Sequence, residues 1–294
     1  MELLDDPGEV RVRLELSDQR WPGLRAALRD AADRFAALVL ACPDEHRAAV
    51  GAWTAAEVAA HTAIVARLNA GLLRDPAAPL GVPELDRLIA RTTLGGIAHL
   101  NDVALREYPE RSPLLLARAL RDAVAHLLDH SRALDPGAPA TWLGGARLPV
   151  AALLAHQLNE ILLHGHDIAR ACGLAWHIPS AEAAFAFELF LVRLLGSEDT
   201  GRLFDRGARE GRPLAVEFRS PHTDPVVLGS GGGRITAGPP TGTADARVRF
   251  EPAALMLTVF RRVRLARAVL TGRVVVTGPR PWTAVTYLRR MRTP

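Results

Sequence analysis

Over residues 21–41 the apolar side chains Leu24, Leu28, Phe35 and Leu38 return at the spacing of one helix face, and Cys42-Pro43 stops the pattern. The spacing predicts an amphipathic helix. Thr54 is placed to cap a second helix, with Glu57 as its capping-box partner, and Val58, His61, Ile64, Val65 and Leu68 then share a face until Asp75-Pro76. Periodic segments follow over 83–108 and from 112 or 113 to 134, the second closed by Asp135-Pro136-Gly137. A fifth runs from about 149 to 172 and ends at Gly173, suited to a left-handed C-terminal cap. Long helices joined by short breakers predict an antiparallel, up-and-down bundle.

After Pro179 a helix over 181–195 leads into a different texture. The run LAVEFRS and the segment from 225 onward carry glycine turns, and Ala246, Val248 and Phe250 alternate with Arg247 and Arg249, as in a half-buried sheet. The glycine cluster at 229–233 lacks both the GxGxxG spacing and the lysine of a phosphate-binding loop, and reads as a hairpin turn. A helical pattern returns at 252–270, a strand follows at 273–277, and a last helix covers 280–291. The fold class expected is a mainly α N-terminal helical bundle with a smaller α+β C-terminal domain. The corresponding divisions are an N-terminal extension at 1–19, the bundle at 20–178 and the α+β domain at 179–294.

Composition narrows the partners. A chain of 294 residues suits two domains, and 49% hydrophobic with 23% charged residues argues against disorder. Only 5% of residues are aromatic, which argues against a surface built on ring stacking. No run of eighteen apolar residues lacks a charge or breaker, and MELLDDPGEV is acidic where a signal peptide is basic, so neither a membrane partner nor export is expected. The net charge of +4 rests on scattered arginines with no lysine, without a basic stripe or arm, so no nucleic-acid partner is expected. Cys42 and Cys172 lie far apart without CxxC pairing. They are expected to form neither a disulfide scaffold nor a zinc knuckle, and a reducing cytoplasm is the simplest compartment.

Three of the ten histidines fall in His156-Gln-Leu-Asn-Glu160-Ile-Leu-Leu-His164-Gly-His166-Asp167. On a helix Glu160 and His164 project together, one turn apart, and can offer one oxygen and one nitrogen to a divalent metal. His61, on the inward face of the second helix, is the best third ligand. Two nitrogens and a carboxylate with an open position form the pattern of a catalytic zinc site. Spacing alone leaves a rival reading open, since a histidine on an apolar helix face is commonly a hydrogen-bonded core residue. His126 and His130 share the spacing, but Arg121, Asp122, Asp129 and Arg132 around them indicate a solvated face. His156, one turn before Glu160, reads as a pocket residue rather than a ligand, and Trp53 as a core or staple residue.

Two motifs together carry a resemblance. Trp53-Thr-Ala-Ala-Glu57-Val-Ala-Ala-His61 is similar to the W-x3-E/D-x3-H signature of the mycothiol-dependent maleylpyruvate isomerase family, within the wider DinB-like metal-binding bundles. Glu160-Ile-Leu-Leu-His164-Gly165-His166-Asp167 resembles that family's E-x3-H-G-x-D helix end, in the expected order. The two cover residues 20–175. The resemblance implies a zinc ion held by His61, Glu160 and His164, with mycothiol as the thiol cosubstrate, and the segment from Ala244 to Gly278 is similar to the sterol-carrier-like domain that follows the bundle in the family. The position before Asp167, commonly tryptophan in the family, is His166 here, which implies a more polar pocket and a cofactor contact for His166 and His156.

The chemistry expected follows from the metal. Coordination ionises a thiol whose ordinary pKa is near 8.5, and holds its sulfur in place. An isomerase would add that thiolate to an activated cis double bond and expel it after rotation, while a transferase would leave it attached. Asp167 is placed to accept the second N–H of His164. A substrate carboxylate needs a counter-charge, available from Arg261, Arg262 or Arg264, and Arg262 joins Asp167 in the expected catalytic set. The partners expected are mycothiol and a small electrophile, acting on a monomer or homodimer. The alternative is a non-catalytic small-molecule-binding protein that uses the sterol-carrier-like domain.

Overall fold

The computed structural model describes residues 20–204, 213–231, 234–240, 242 and 244–290. The expected extension at 1–19 lies outside them. Helix α1 (Arg20–Ala41) is followed by a hairpin of β1 (Ala48–Val50) and β2 (Trp53–Thr54), then by α2 (Ala55–Arg74), α3 (Pro83–Arg91), α4 (Ile97–Glu107) and α5 (Pro113–His130). A second hairpin, β3 (Pro139–Thr141) and β4 (Arg147–Pro149), leads into α6 (Val150–Cys172). The long helices α1, α2, α5 and α6 bury a continuous core of leucine and alanine, with Phe35 and Trp142 among its largest fully buried side chains.

Local sequence sets the helices that matter. Thr54 accepts from the Glu57 backbone N–H while the Glu57 carboxylate returns to the Thr54 N–H, so both halves of the capping box form at the start of α2. Gly173 ends α6 at φ 69°, with its N–H on the carbonyl of Ala169. Helix α6 is buried almost all round, and His156, Gln157, Asn159, His164 and Asp167 go inside with it. Buried polar groups must find partners. Those partners shape the site described below.

The chain then forms one continuous helix from α7 (Ser180–Phe185) through a π-helical turn (Ala186–Leu191) to α8 (Val192–Leu195). Ala183, Ala186, Phe190 and Leu194 complete the bundle core, whereas Phe187, Leu191, Val192 and Leu195 join the core of the sheet. That sheet contains β5 (Leu214–Ser220), β6 (Thr223–Gly231), β7 (Arg234–Gly238), β8 (Ala246–Phe250) and β9 (Val274–Thr277) in the order β7-β6-β5-β8-β9. Among the described residues only the β5–β8 pair is parallel, with Val216 opposite Ala246 and Phe218 opposite Val248. Helices α9 (Pro252–Val259), α10 (Leu265–Leu270) and α11 (Pro281–Arg290) complete this smaller region. The architecture is thus a mainly α bundle followed by an α+β unit. The glycine cluster falls at the β6–β7 hairpin, where Gly231 pairs with Arg234, and its residues 232 and 233 lie outside the described ones.

The structure departs from the sequence pattern at several points. The segment at 83–108 is two helices, because Thr92 and Thr93 adopt extended backbone before a single 3-10 turn at Leu94–Gly96. The segment expected to reach 134 ends at His130, where the Ser131 hydroxyl donates to the carbonyls of Leu127 and Leu128. The pattern at 252–270 is interrupted after α9 by Arg261, at φ 62°. Cys42 and Cys172 form a disulfide, overturning the expectation that they stay apart. They are separated by 130 positions, yet α1 and α6 end side by side and bring their Cα atoms to 5.6 Å. Among the described residues no helix is long and apolar enough to cross a membrane.

Candidate metal centre

Helices α2 and α6 pack face to face and bring three side chains together. His61 Nε2 lies 3.3 Å from Glu160 Oε2, and His164 Nε2 lies 3.4 Å from the same oxygen. The two imidazoles meet edge to face with centroids 5.1 Å apart. One ligand atom from each of the three falls within 4.8 Å of the others. Both histidines are buried, and the Glu160 side chain is 14% exposed. Two imidazole nitrogens and one carboxylate are a donor set suited to zinc with a position left open.

The candidate ligands are braced from behind. His164 Nδ1 faces Asp167 Oδ2 at 3.2 Å, so donation of the Nδ1 hydrogen to the carboxylate orients the ring with Nε2 toward Glu160. Asp167 is gripped in turn by Arg262, whose Nη2 donates at 2.7 Å and Nε at 3.1 Å, while Nη1 donates to the carbonyl of Phe260. Of the three arginines considered, Arg262 alone turns inward. Arg261 and Arg264 are exposed, and the left-handed backbone of Arg261 is what reverses the chain after α9. Arg262 therefore meets a protein carboxylate and still lines the cavity before the candidate metal site.

His156 stands one turn before Glu160. Its Nδ1 accepts from the Asn69 amide at 3.2 Å, and the same amide donates to Gln157 Oε1. With Nδ1 accepting, the remaining hydrogen sits on Nε2, which faces Glu160 Oε1 at 3.7 Å. That tautomer has no lone pair for a metal on its inward nitrogen. Trp142 and Phe190 enclose the ring. His166 does not line the cavity; two residues beyond His164, it is rotated by about 200° around α6.

Electrostatics follow the same contacts. Burial pushes His156 down to about 4 and lowers His61, in both cases against the pull of Glu160. Burial alone would raise Glu160, but hydrogen bonds from His164 and His61 hold it well below the usual carboxylate range. Burial works against protonated His164 as well, yet Asp167 and Glu160 outweigh it and lift its pKa to about 9. Burial would raise Asp167 in the same way, and His164 with Arg262 keeps it below its ordinary value. The metal-free site is a balanced set of two carboxylates, one imidazolium and one guanidinium.

Two further features of the site go beyond the sequence pattern. Trp53, expected in a core or staple role, leans its ring on His61 at 5.1 Å and lines the cavity. The cavity encloses about 260 Å3, and Phe260 and Arg262 close it from the second region. Gly165, inside the helix-end motif, lets the Trp176 ring lie against α6, because a Cβ there would come within 2.3 Å of that ring. The Trp176 Nε1–H then donates to the carbonyl of Leu162.

Residues 24–169 match the model of the mycothiol maleylpyruvate isomerase N-terminal domain. Two crystal structures of the mycothiol-dependent maleylpyruvate isomerase, one of them a mutant, are similar to the chain. The mutant gives 11% identity and a TM-score of 0.46, the other 12% and 0.45, each over 80% of this chain and 87% of that one. No curated protein matches the chain.

Proposed function

The chain belongs to the mycothiol maleylpyruvate isomerase family through residues 24–169, and we propose that it is a zinc-dependent enzyme that activates the thiol of mycothiol against an electrophilic small molecule. The observation that carries this reading is the convergence of His61, Glu160 and His164 on one point at a cavity wall. His61 Nε2, Glu160 and His164 Nε2 would hold the ion. A bound dication there would supply Lewis-acid stabilisation of a thiolate at neutral pH.

The chain's own residues do the rest. Asp167 fixes the tautomer of His164, and Arg262 fixes Asp167, so a group on the second region steadies a ligand on the first. His156 carries its hydrogen toward Glu160 and lines the pocket beside it. Trp53 shields His61 from water, and aliphatic side chains of α2 and α4 keep the reacting end dry. The reaction is cis-trans isomerisation of the maleylpyruvate type or S-transfer. The similarity of the smaller region to a sterol-carrier domain is part of this proposal.

Elemental analysis of the purified protein, beside His61→Ala and His164→Ala, tests the reading. About one zinc per chain in the wild type, lost in both variants, together with saturable mycothiol binding is the expected result. A wild type that takes up no metal when zinc is supplied would remove it.

A further inference from the structure

The cavity before the candidate ligands has aliphatic walls: Ile64, Val65 and Leu68 from α2, Ile97 and Leu100 from α4, and Leu163 from α6. Besides the three ligands, the polar side chains lining it are Asn101, His156 and Arg262. Arg262 is the single lysine or arginine among the described lining residues, and its guanidinium is already committed to Asp167 and to the carbonyl of Phe260. Glu160 and Asp167 place two carboxylates at the same end. A dication would offset Glu160 and one incoming thiolate, leaving little positive charge for anything else.

Resting on the thiol-activating reading above, we infer that the second substrate is an apolar electrophile. It is a carbon–carbon double bond conjugated to a carbonyl and carried on an aliphatic or aromatic body, with at most one carboxylate, rather than a small dicarboxylate. An apolar body gains by leaving water for these walls. A second carboxylate would have to shed its hydration against leucine and isoleucine without a partner. In transfer, the thiol adds across the double bond: sulfur bonds to the β carbon, the π pair moves to the α carbon, and that carbon takes the thiol's proton. In isomerisation the same bonds form and then reverse after rotation. Neither course needs an oxidant or reductant.

The test compares two unreactive ligands, octanoate and succinate, by calorimetry on the zinc-loaded full chain. Both offer a carboxylate to the metal, so their difference weighs an apolar body against a second carboxylate. Octanoate should bind at least tenfold more tightly. Ala104→Phe, which fills the cavity from α4, should weaken octanoate tenfold or more while the thiolate-to-cobalt absorption of mycothiol on cobalt-loaded protein stays unchanged. That retained band also reports an intact metal site in the variant. Succinate binding as tightly as octanoate, or Ala104→Phe binding octanoate normally, overturns the apolar electrophile while a wild-type cobalt band upholds thiol activation. An octanoate preference without that band in the wild type overturns thiol activation and keeps the apolar pocket.

Discussion

Arg262 and Asp167 stand 95 positions apart in the chain and meet through two guanidinium nitrogens, the shorter contact at 2.7 Å. The Asp167 side chain is 3% exposed and that of Arg262 22%. The pair is therefore shielded from solvent, and removing one member leaves the other's charge uncompensated. Its position behind His164 ties ligand geometry to the second region.

Asp167→Asn should lower zinc affinity by about 10- to 100-fold, the range for removing a group that orients a metal-bound histidine. Arg262→Ala should weaken zinc in the same direction. Arg262→Lys should recover only part, since an ammonium cannot reproduce the two-pronged grip. Competition against a chromophoric chelator measures all three, and unchanged zinc affinity in Arg262→Ala would show that the pair merely joins the two regions.

The metal-free site should respond to pH through His164. Its pKa of about 9 lies above the 6.5 of an unfolded histidine, so the stability it contributes is complete below about 6.5 and is lost as pH rises through about 9. Chelator-treated protein should accordingly melt at a lower temperature at pH 10 than at pH 6. His164→Gln should reduce that difference. Zinc must displace the same proton, so uptake below pH 9 should release acid, measurable in weakly buffered solution.

Gly165→Ala should destabilise the fold by about 1–3 kcal/mol, the usual cost of inserting a methyl group into a filled space. The Trp176 ring lies where the new Cβ would stand. Urea denaturation gives the loss, and a shift in Trp176 fluorescence identifies its cause.

Cys42→Ser should cost about 2–4 kcal/mol under oxidising conditions, because the bond to Cys172 closes a long loop. In reducing buffer the wild type and the variant should have nearly equal midpoints. Equal midpoints without reductant would show that the bond contributes nothing.

The bundle was legible because its helices carry long periodic faces and local end signals, such as Thr54 with Glu57 and Gly173. The cluster of His61, Glu160 and His164 was legible for the same reason, since helical spacing pairs Glu160 with His164 and places His61 on an inward face. What escaped depends on tertiary approach. No local pattern states that α1 and α6 end together, so Cys42 and Cys172 looked unrelated. Nor does sequence mark Arg262 apart from Arg261 and Arg264; a left-handed backbone at Arg261 makes the distinction. Trp53 matched a staple position and also leans over a ligand. The break at Thr92 and Thr93 was hidden because the apolar period resumes after it, and that break sets α4 against the cavity.

The helix over 180–195 gives one face to each core, with Phe190 turned to the bundle and Phe187 beside Leu191 turned to the sheet. A chain cut after 178 would leave the bundle without the side chains that seal its flank and without the guanidinium that steadies His164. The half beyond the cut would keep a helix with a greasy outer side. Fragments exchanged at that point would carry neither core intact, so any engineered swap has to move the two regions together.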